Sequence, residues 1–238
     1  QAVFRERAEG LAVQDHIAAG RRDRQLSGEV AQTHGPARRG DVNPARQIPH
    51  GYRACCAALD IARAVEQFNQ PLDDRQLPIR IGMHSGYISL GNVGAMDHFE
   101  YRPVGDIVNT ASRIQGVNKV LQTQIVVSPM VIEGVSGFAT RELGSFQLVG
   151  KQQALILHEL IGEVGCIDPD LERLLTKFAQ GLAAYRQQDW RQALTVFEEI
   201  LQTRSADGPT RFYYELCKRH AQQPPPRSWN PTILLKNK

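Results

Sequence analysis

The stretch that most constrains this chain runs from residue 79 to residue 113. Ile79-Arg80-Ile81-Gly82-Met83 alternates with period two, the pattern of a strand. Gly86 follows, then Tyr87-Ile88-Ser89-Leu90, then Gly91-Asn92-Val93-Gly94. The spacing predicts two strands about a glycine-punctuated turn, with Gly86, Gly91 and Gly94 serving turns and close backbone approach. Residues 99–104 predict another extended piece. From Asp106 to about residue 119 the period becomes helical, with Ile107, Ala111 and Ile114 on the apolar face. Asp106 is expected to begin or cap that helix, and His84 to be a structural histidine. Strand, hairpin and amphipathic helix in such close succession commit the chain to a sheet with helices packed on it, an α+β class.

The flanking sequence extends this pattern. Cys55, Leu59, Ala62, Val65 and Phe68 recur at helical spacing and predict a helix that stops before Pro71. Residues 124–127 predict a strand. Ser128-Pro129 predicts a short helix, with Ser128 as N-cap and proline at the first helical position. Residues 138–143, 146–149 and 155–160 predict three further strands. Beyond a composition change at 162–169, residues 171–187 and 190–202 predict two amphipathic helices. Asp207-Gly208-Pro209 starts a third, and the Pro224-Pro225-Pro226 end is expected to be extended.

Residues 1–50 differ from the rest. They are rich in arginine, contain no lysine, and are broken by Gly35-Pro36 and Asn43-Pro44. A short helix over residues 3–18 is the only element predicted there, and weak order is expected. A net charge of +3 is too small to argue for nucleic acid or an anionic membrane surface. No apolar run is long enough to span a bilayer and no secretory signal is evident, so a soluble, cytoplasmic chain is expected. The four cysteines, at 55, 56, 166 and 217, form neither a C-x-x-C pair nor a zinc spacing, as in a reducing compartment.

Two long motifs, in order, resemble the signatures of class III nucleotidyl cyclases. One is Ile79 to Gly86 followed by Gly91-Asn92-Val93-Gly94. The other is Tyr101-Arg102-Pro103-Val104-Gly105-Asp106-Ile107-Val108-Asn109-Thr110-Ala111-Ser112-Arg113. Arg141-Glu142-Leu143-Gly144 and Leu148-Val149-Gly150-Lys151 are similar to the closing strands. The resemblance covers roughly residues 50–161 and implies a ferredoxin-like βαββαβ core, N-terminally incomplete and lacking its first strand and helix, followed by an α-helical tail. It also implies conversion of ATP to cyclic AMP and pyrophosphate in intracellular signalling. Such chemistry needs positioning and charge neutralisation rather than a covalent intermediate. Asn109 and Arg113, four apart, share one helical face opposite the apolar stripe. By resemblance Asn109 orients the ribose and Arg113 stabilises the transition state. Arg102 and Lys151 are the further substrate-binding candidates. Arg102 stands where the family has a short polar base-selecting residue. Lys151 follows Val149, which occupies the position of a phosphate-binding lysine.

The resemblance also implies Mg2+ or Mn2+ held by two aspartates near the start of the domain. No Phe-x-Asp-Ile is present. Asp41, in Gly40-Asp41, is the one candidate for the second aspartate; Asp15 and Asp23 lack supporting context. The chain is therefore expected to be inactive alone and to work as a homodimer, or as a heterodimer with another cyclase domain. The alternative is a vestigial cyclase acting in dimerisation or protein interaction. A frameshifted, rearranged or truncated gene would explain the change near residue 45.

The expected organisation is an atypical segment over 1–47, a partial catalytic domain over 48–161 and a helical tail over 169–238. Gly181, Ala184, Ala193 and Phe197 have the spacing of a tetratricopeptide repeat, and a single repeat cannot form a solenoid. The tail is thus expected either to pack as a plain hairpin on the domain or to bind a protein partner. It is also similar to tails that follow cyclase domains in bacterial membrane receptors, which implies a parent protein anchored in the inner membrane.

Overall fold

The computed structural model describes residues 8–15, 49–72, 76–95, 98–226 and 228–235. Among them the order is β1 (Ala8–Asp15), α1 (His50–Asn69), β2 (Ile81–Ala95), β3 (His98–Val104), α2 (Asp106–Leu121), β4 (Ile125–Val127) and α3 (Pro129–Ile132). There follow β5 (Phe138–Gln147), β6 (Ala154–Glu163), α4 (Pro169–Arg186), α5 (Trp190–Thr203), α6 (Gly208–Gln222) and β7 (Ile233–Leu234). The mixed sheet runs β1-β2-β4-β6-β5-β7, with β3 paired to the far half of β2. The β2–β4 and β5–β7 pairs are parallel and the others antiparallel.

Period-two burial assigns the two faces of the sheet. Ile81, Met83, Ile125 and Val127 meet Cys55, Ala58, Leu59 and Ala62 of α1. Val126, Leu143, Phe146 and Leu157 meet Ile114, Val117 and Leu121 of α2. The α+β expectation therefore holds, with one apolar layer on each side of the sheet.

Several local expectations need correction. Within residues 3–18 the described segment, Ala8–Asp15, is a strand pairing antiparallel with the first half of β2, because an open sheet edge offers its backbone a ladder. Gly86 makes no turn. Strand β2 runs through it without a break, and the reversal falls between Ala95 and His98, which face each other in the register. The two strands foreseen over 138–149 are one, irregular between Glu142 and Gly144, where Gly144 takes a positive φ of 103°. Ser128 does precede α3 but makes no side-chain cap, because its hydroxyl is engaged elsewhere. Phe68 is exposed rather than core, while Ala54 and Ala58 are buried.

The three tail helices appear where their periodicity places them. Asp168, Asp189 and Asp207 cap them by accepting from the backbone N–H of Asp170, Gln192 and Thr210. Helices α4 and α5 close tightly at Gly181, where a Cβ would lie 2.5 Å from the Phe197 ring. After the Pro224-Pro225-Pro226 segment, Trp229 and Ile233 pack on the same helical cluster. Strand β7 then adds two residues to the sheet beside β5, an element that hydrophobic periodicity does not announce.

Candidate active site

Helix α2 carries the candidate residues Asn109 and Arg113, and its fit to β2 fixes where they lie. Gly82 is the point of closest approach. A Cβ there would stand 2.2 Å from the Gln115 backbone nitrogen and 2.6 Å from the Ala111 carbonyl oxygen. Four residues on, Gly86 faces Ile107, with 3.4 Å between a Cβ position and the Ile107 methyl. The buried Asn118 amide donates to the Ile81 carbonyl oxygen at 2.9 Å and accepts from the Thr123 hydroxyl at 2.9 Å. Glycine spacing and one satisfied buried amide thus hold α2 against the strand at a fixed height.

His84 lies between the two glycines on the α2-facing side of β2. Its Nδ1 is 2.9 Å from the Ser128 Oγ. Burial is the main cause holding its pKa below the ordinary imidazole value; Lys151 adds to this and Asp106 opposes it. The contact ties β2 to the residue before α3 and shows why Ser128 does not cap that helix.

Asp106 is the first residue of α2, after Gly105. Its carboxylate accepts from the Lys151 ammonium. That hydrogen bond is the main cause of its lowered pKa, with smaller contributions in the same direction from the charges of Lys151, Arg113 and His84. The tight turn after β5 closes with the Lys151 N–H donating to the Leu148 carbonyl oxygen at 3.0 Å, and Gly150 takes φ of 70°. The turn brings Gly150 under the Arg113 guanidinium, whose Nη2 would be 3.3 Å from a Cβ at that position.

Of the residues singled out in the sequence, Arg113, midway along α2, has its guanidinium beside Gly150 and so next to Lys151, which pairs with Asp106 at the start of the helix. Asn109 stands one turn from Arg113 and is exposed. Arg102 falls in β3 opposite Gly91, with its side chain outside the described residues. Asp41 and Asp23 also lie outside them. Gly82, Gly150 and Ser128 were not foreseen as parts of this arrangement. The period-two column Gly82-His84-Gly86 is the signal that could have revealed the first.

Among the described residues, no three acidic, histidine or cysteine side chains gather closely enough to hold a metal ion. Asp106, the acid of this cluster, is already engaged by Lys151. Around Arg113 and Lys151 the described side chains thus offer one paired acid and no set of metal ligands. Among the same residues no helix is long and apolar enough to cross a membrane.

Comparison with known proteins identifies the family. The profile of the adenylate and guanylate cyclase catalytic domain matches residues 39–161, more than half of the 238-residue chain. Adenylate cyclase 1 of Rhizobium meliloti is 32% identical over 146 residues, covering 59% of this chain and 22% of that protein. The human atrial natriuretic peptide receptor 2 is 34% identical over 106 residues, covering 44% of this chain and 9% of the receptor. The chain thus spans a fifth or less of the length of the adenylate cyclase from Dictyostelium discoideum (7%) and of the human receptor (9%), and about a fifth of the Rhizobium meliloti protein (22%). Among solved structures, the guanylate cyclase domain of RhGC from Catenaria anguillulae is similar, with a TM-score of 0.41 and 27% identity over 50% of this chain and 64% of that one. With its two signature segments folded as one long strand and the helix packed on it, this chain belongs to the adenylate and guanylate cyclase catalytic domain family.

Proposed function

We propose that this chain supplies the Asn109–Arg113 half of a cyclase active site that acts on ATP, completed across a dimer by a subunit that carries the metal-binding carboxylates. The observation that supports this most is the pair of cations, Arg113 and Lys151, that meet beside α2. Arg113 is steadied over Gly150 and Lys151 lies alongside, one turn from an exposed amide at Asn109. ATP is chosen as the substrate because three of the relatives similar to this chain carry the name adenylate cyclase.

In this reaction the ribose 3′-oxygen forms a bond to the α-phosphorus. The bond from that phosphorus to the bridging oxygen breaks, pyrophosphate leaves, and the 3′-hydroxyl proton passes to solvent. Asn109 holds the ribose so that the 3′-oxygen stays in line. Arg113 offers a planar fork of N–H donors to the phosphoryl oxygens as charge gathers on them. Lys151 binds the polyphosphate as a point charge, exchanging its Asp106 partner for phosphate. Magnesium or manganese, held by the partner subunit's carboxylates, would activate the 3′-hydroxyl and neutralise the polyphosphate.

The test is complementation. The chain is mixed with a cyclase domain of the family that keeps its aspartates but has lost its own arginine, and cyclic AMP is measured. Neither component alone should turn over, and the mixture should. Dimers that form without turnover would leave a vestigial cyclase domain acting in dimerisation. Turnover by the purified chain alone, abolished by Asp41→Ala, would place the metal site within residues 1–48.

A further inference from the structure

Three of the contacts between the helical tail and the catalytic body converge on α2 or on β5 beneath it, in addition to the Arg186–Glu142 pair and the β5–β7 pairing. The first is Arg141 of β5, whose side chain is 5% exposed. Its Nε and Nη2 donate to the Glu159 carboxylate of β6 at 2.9 and 2.5 Å, and its Nη1 donates to both oxygens of Asp207 at 2.9 and 2.8 Å. The guanidinium also lies 4.9 Å from the centre of the Phe178 ring on α4. The second is Tyr213 of α6, which donates to the Leu143 carbonyl oxygen at 2.6 Å. A Cβ on the adjoining Gly144 would stand 2.2 Å from that hydroxyl oxygen. The third is Gly208, the first residue of α6. A Cβ there would be 2.0 Å from the Leu121 carbonyl oxygen at the end of α2 and 2.7 Å from the Gln122 side chain.

These contacts leave no room for a tail that merely hangs from the domain. The acid that caps α6, Asp207, is the same acid that neutralises Arg141, so the start of α6 is pinned in two directions at once. That start bears on the last turn of α2. Phe212 and Ile233 of the tail complete the apolar cluster that holds Ile114, Val117 and Leu121 of the same helix. Helix α2 is thus clamped between the sheet and α6, and Arg113 lies two turns from the clamp.

We propose that Asp207 and Gly208 are positioning residues for α2, so that the seating of the tail sets where Asn109 and Arg113 stand. The consequence for catalysis rests on the role proposed above for those two side chains; the mechanical coupling does not. A ligand or partner that shifts α6 must then shift α2, and filling the nucleotide site must tighten the tail by the same factor.

Amide hydrogen exchange on the full chain, read together with the mixed-dimer assay, tests this. Gly208→Ala forces a methyl group onto the Leu121 carbonyl. Exchange over residues 114–122 should accelerate several-fold while α4 and α5 keep their protection. Mixed-dimer turnover at saturating ATP should fall with little change in KM. Asp207→Asn keeps an N-cap but loses the charge facing Arg141, and should give the same pattern more weakly. If Gly208→Ala fails to fold, Tyr213→Phe serves in its place with the same readout. Faster exchange confined to α6, with α2 unchanged in every variant that folds, would overturn the proposal. Faster exchange in α2 with no turnover in any mixture, wild type included, would uphold the coupling and instead remove the role given to Asn109 and Arg113.

Discussion

One guanidinium nitrogen of Arg141 sits between both carboxylate oxygens of Asp207, 66 residues away in sequence, at 2.9 and 2.8 Å. Glu159 takes the rest of the guanidinium at 2.9 and 2.5 Å. With the side chains of Glu159 and Asp207 13% and 10% exposed, the triad is almost dry. Removing one member leaves the others charged and unpaired, which typically costs about 3–5 kcal/mol. Arg141→Ala should therefore destabilise the whole chain by that order, read as a lowered urea midpoint with unchanged slope. Replacing all three by apolar residues of similar volume should cost far less. Equal losses in the single and triple variants would show that the charges do not act as a unit.

The histidines predict how stability varies with pH. His84, His158 and His220 all have pKa values below the ordinary imidazole value, in each case chiefly through burial. The folded form then disfavours the proton, and the unfolded chain takes it up first as pH falls. Their contribution is fully present above the unfolded value, about 6.5, and is lost as pH drops below it. Asp106, lowered mainly by its bond from Lys151, acts in the same sense further into the acid range. Glu159 is raised by burial despite Arg141 and acts in the opposite sense. Denaturation free energies measured from about pH 7.5 to pH 5.5 should fall, and His84→Asn with His158→Asn should flatten the slope. A slope unchanged in that double variant would count against this assignment.

Two glycines near α2 should respond to alanine in opposite directions. At Gly82 the methyl group would meet helix backbone at 2.2 Å, so helix and strand must part. Gly82→Ala should cost about 1–3 kcal/mol or more, the usual range for overpacking a rigid contact. At Gly116, inside α2, a Cβ has nothing within 4 Å. Gly116→Ala should stabilise by about 0.5–1 kcal/mol, since glycine is the poorer helix former. Thermal melts of the two variants against wild type decide both.

Arg113 and Asn109 should separate in kinetics once a competent mixture exists. Arg113→Ala should lower turnover by roughly a hundred- to thousand-fold, the usual loss for one charge-stabilising donor. Arg113→Lys should recover only part, because an ammonium has no planar fork. Asn109→Ala should depress kcat more than it raises KM. Turnover that survives Arg113→Ala would remove the arginine from the chemistry.

Most of the strands and helices over residues 50–222, and the helical face shared by Asn109 and Arg113, follow from spacing alone; the continuity of β2 through Gly86 and of β5 through Gly144 does not. Periods of two and 3.6 are local properties, set by backbone geometry over a few residues. The cap residues of the tail are equally local: an aspartate before each helix reaches a backbone N–H only two or three positions on. Where tertiary packing competes with such a rule, the rule fails, as at Ser128, whose hydroxyl meets His84 across 44 residues instead of capping α3. Gly86 looks like a turn in sequence and is strand in the fold, because antiparallel partners on both halves of β2 keep the chain extended. The Gly82 contact, the Arg113 rest on Gly150 and the Arg141 triad were decided only by tertiary structure. Each depends on two surfaces meeting after the chain has folded, and no spacing along one segment specifies which distant segment will supply the other side.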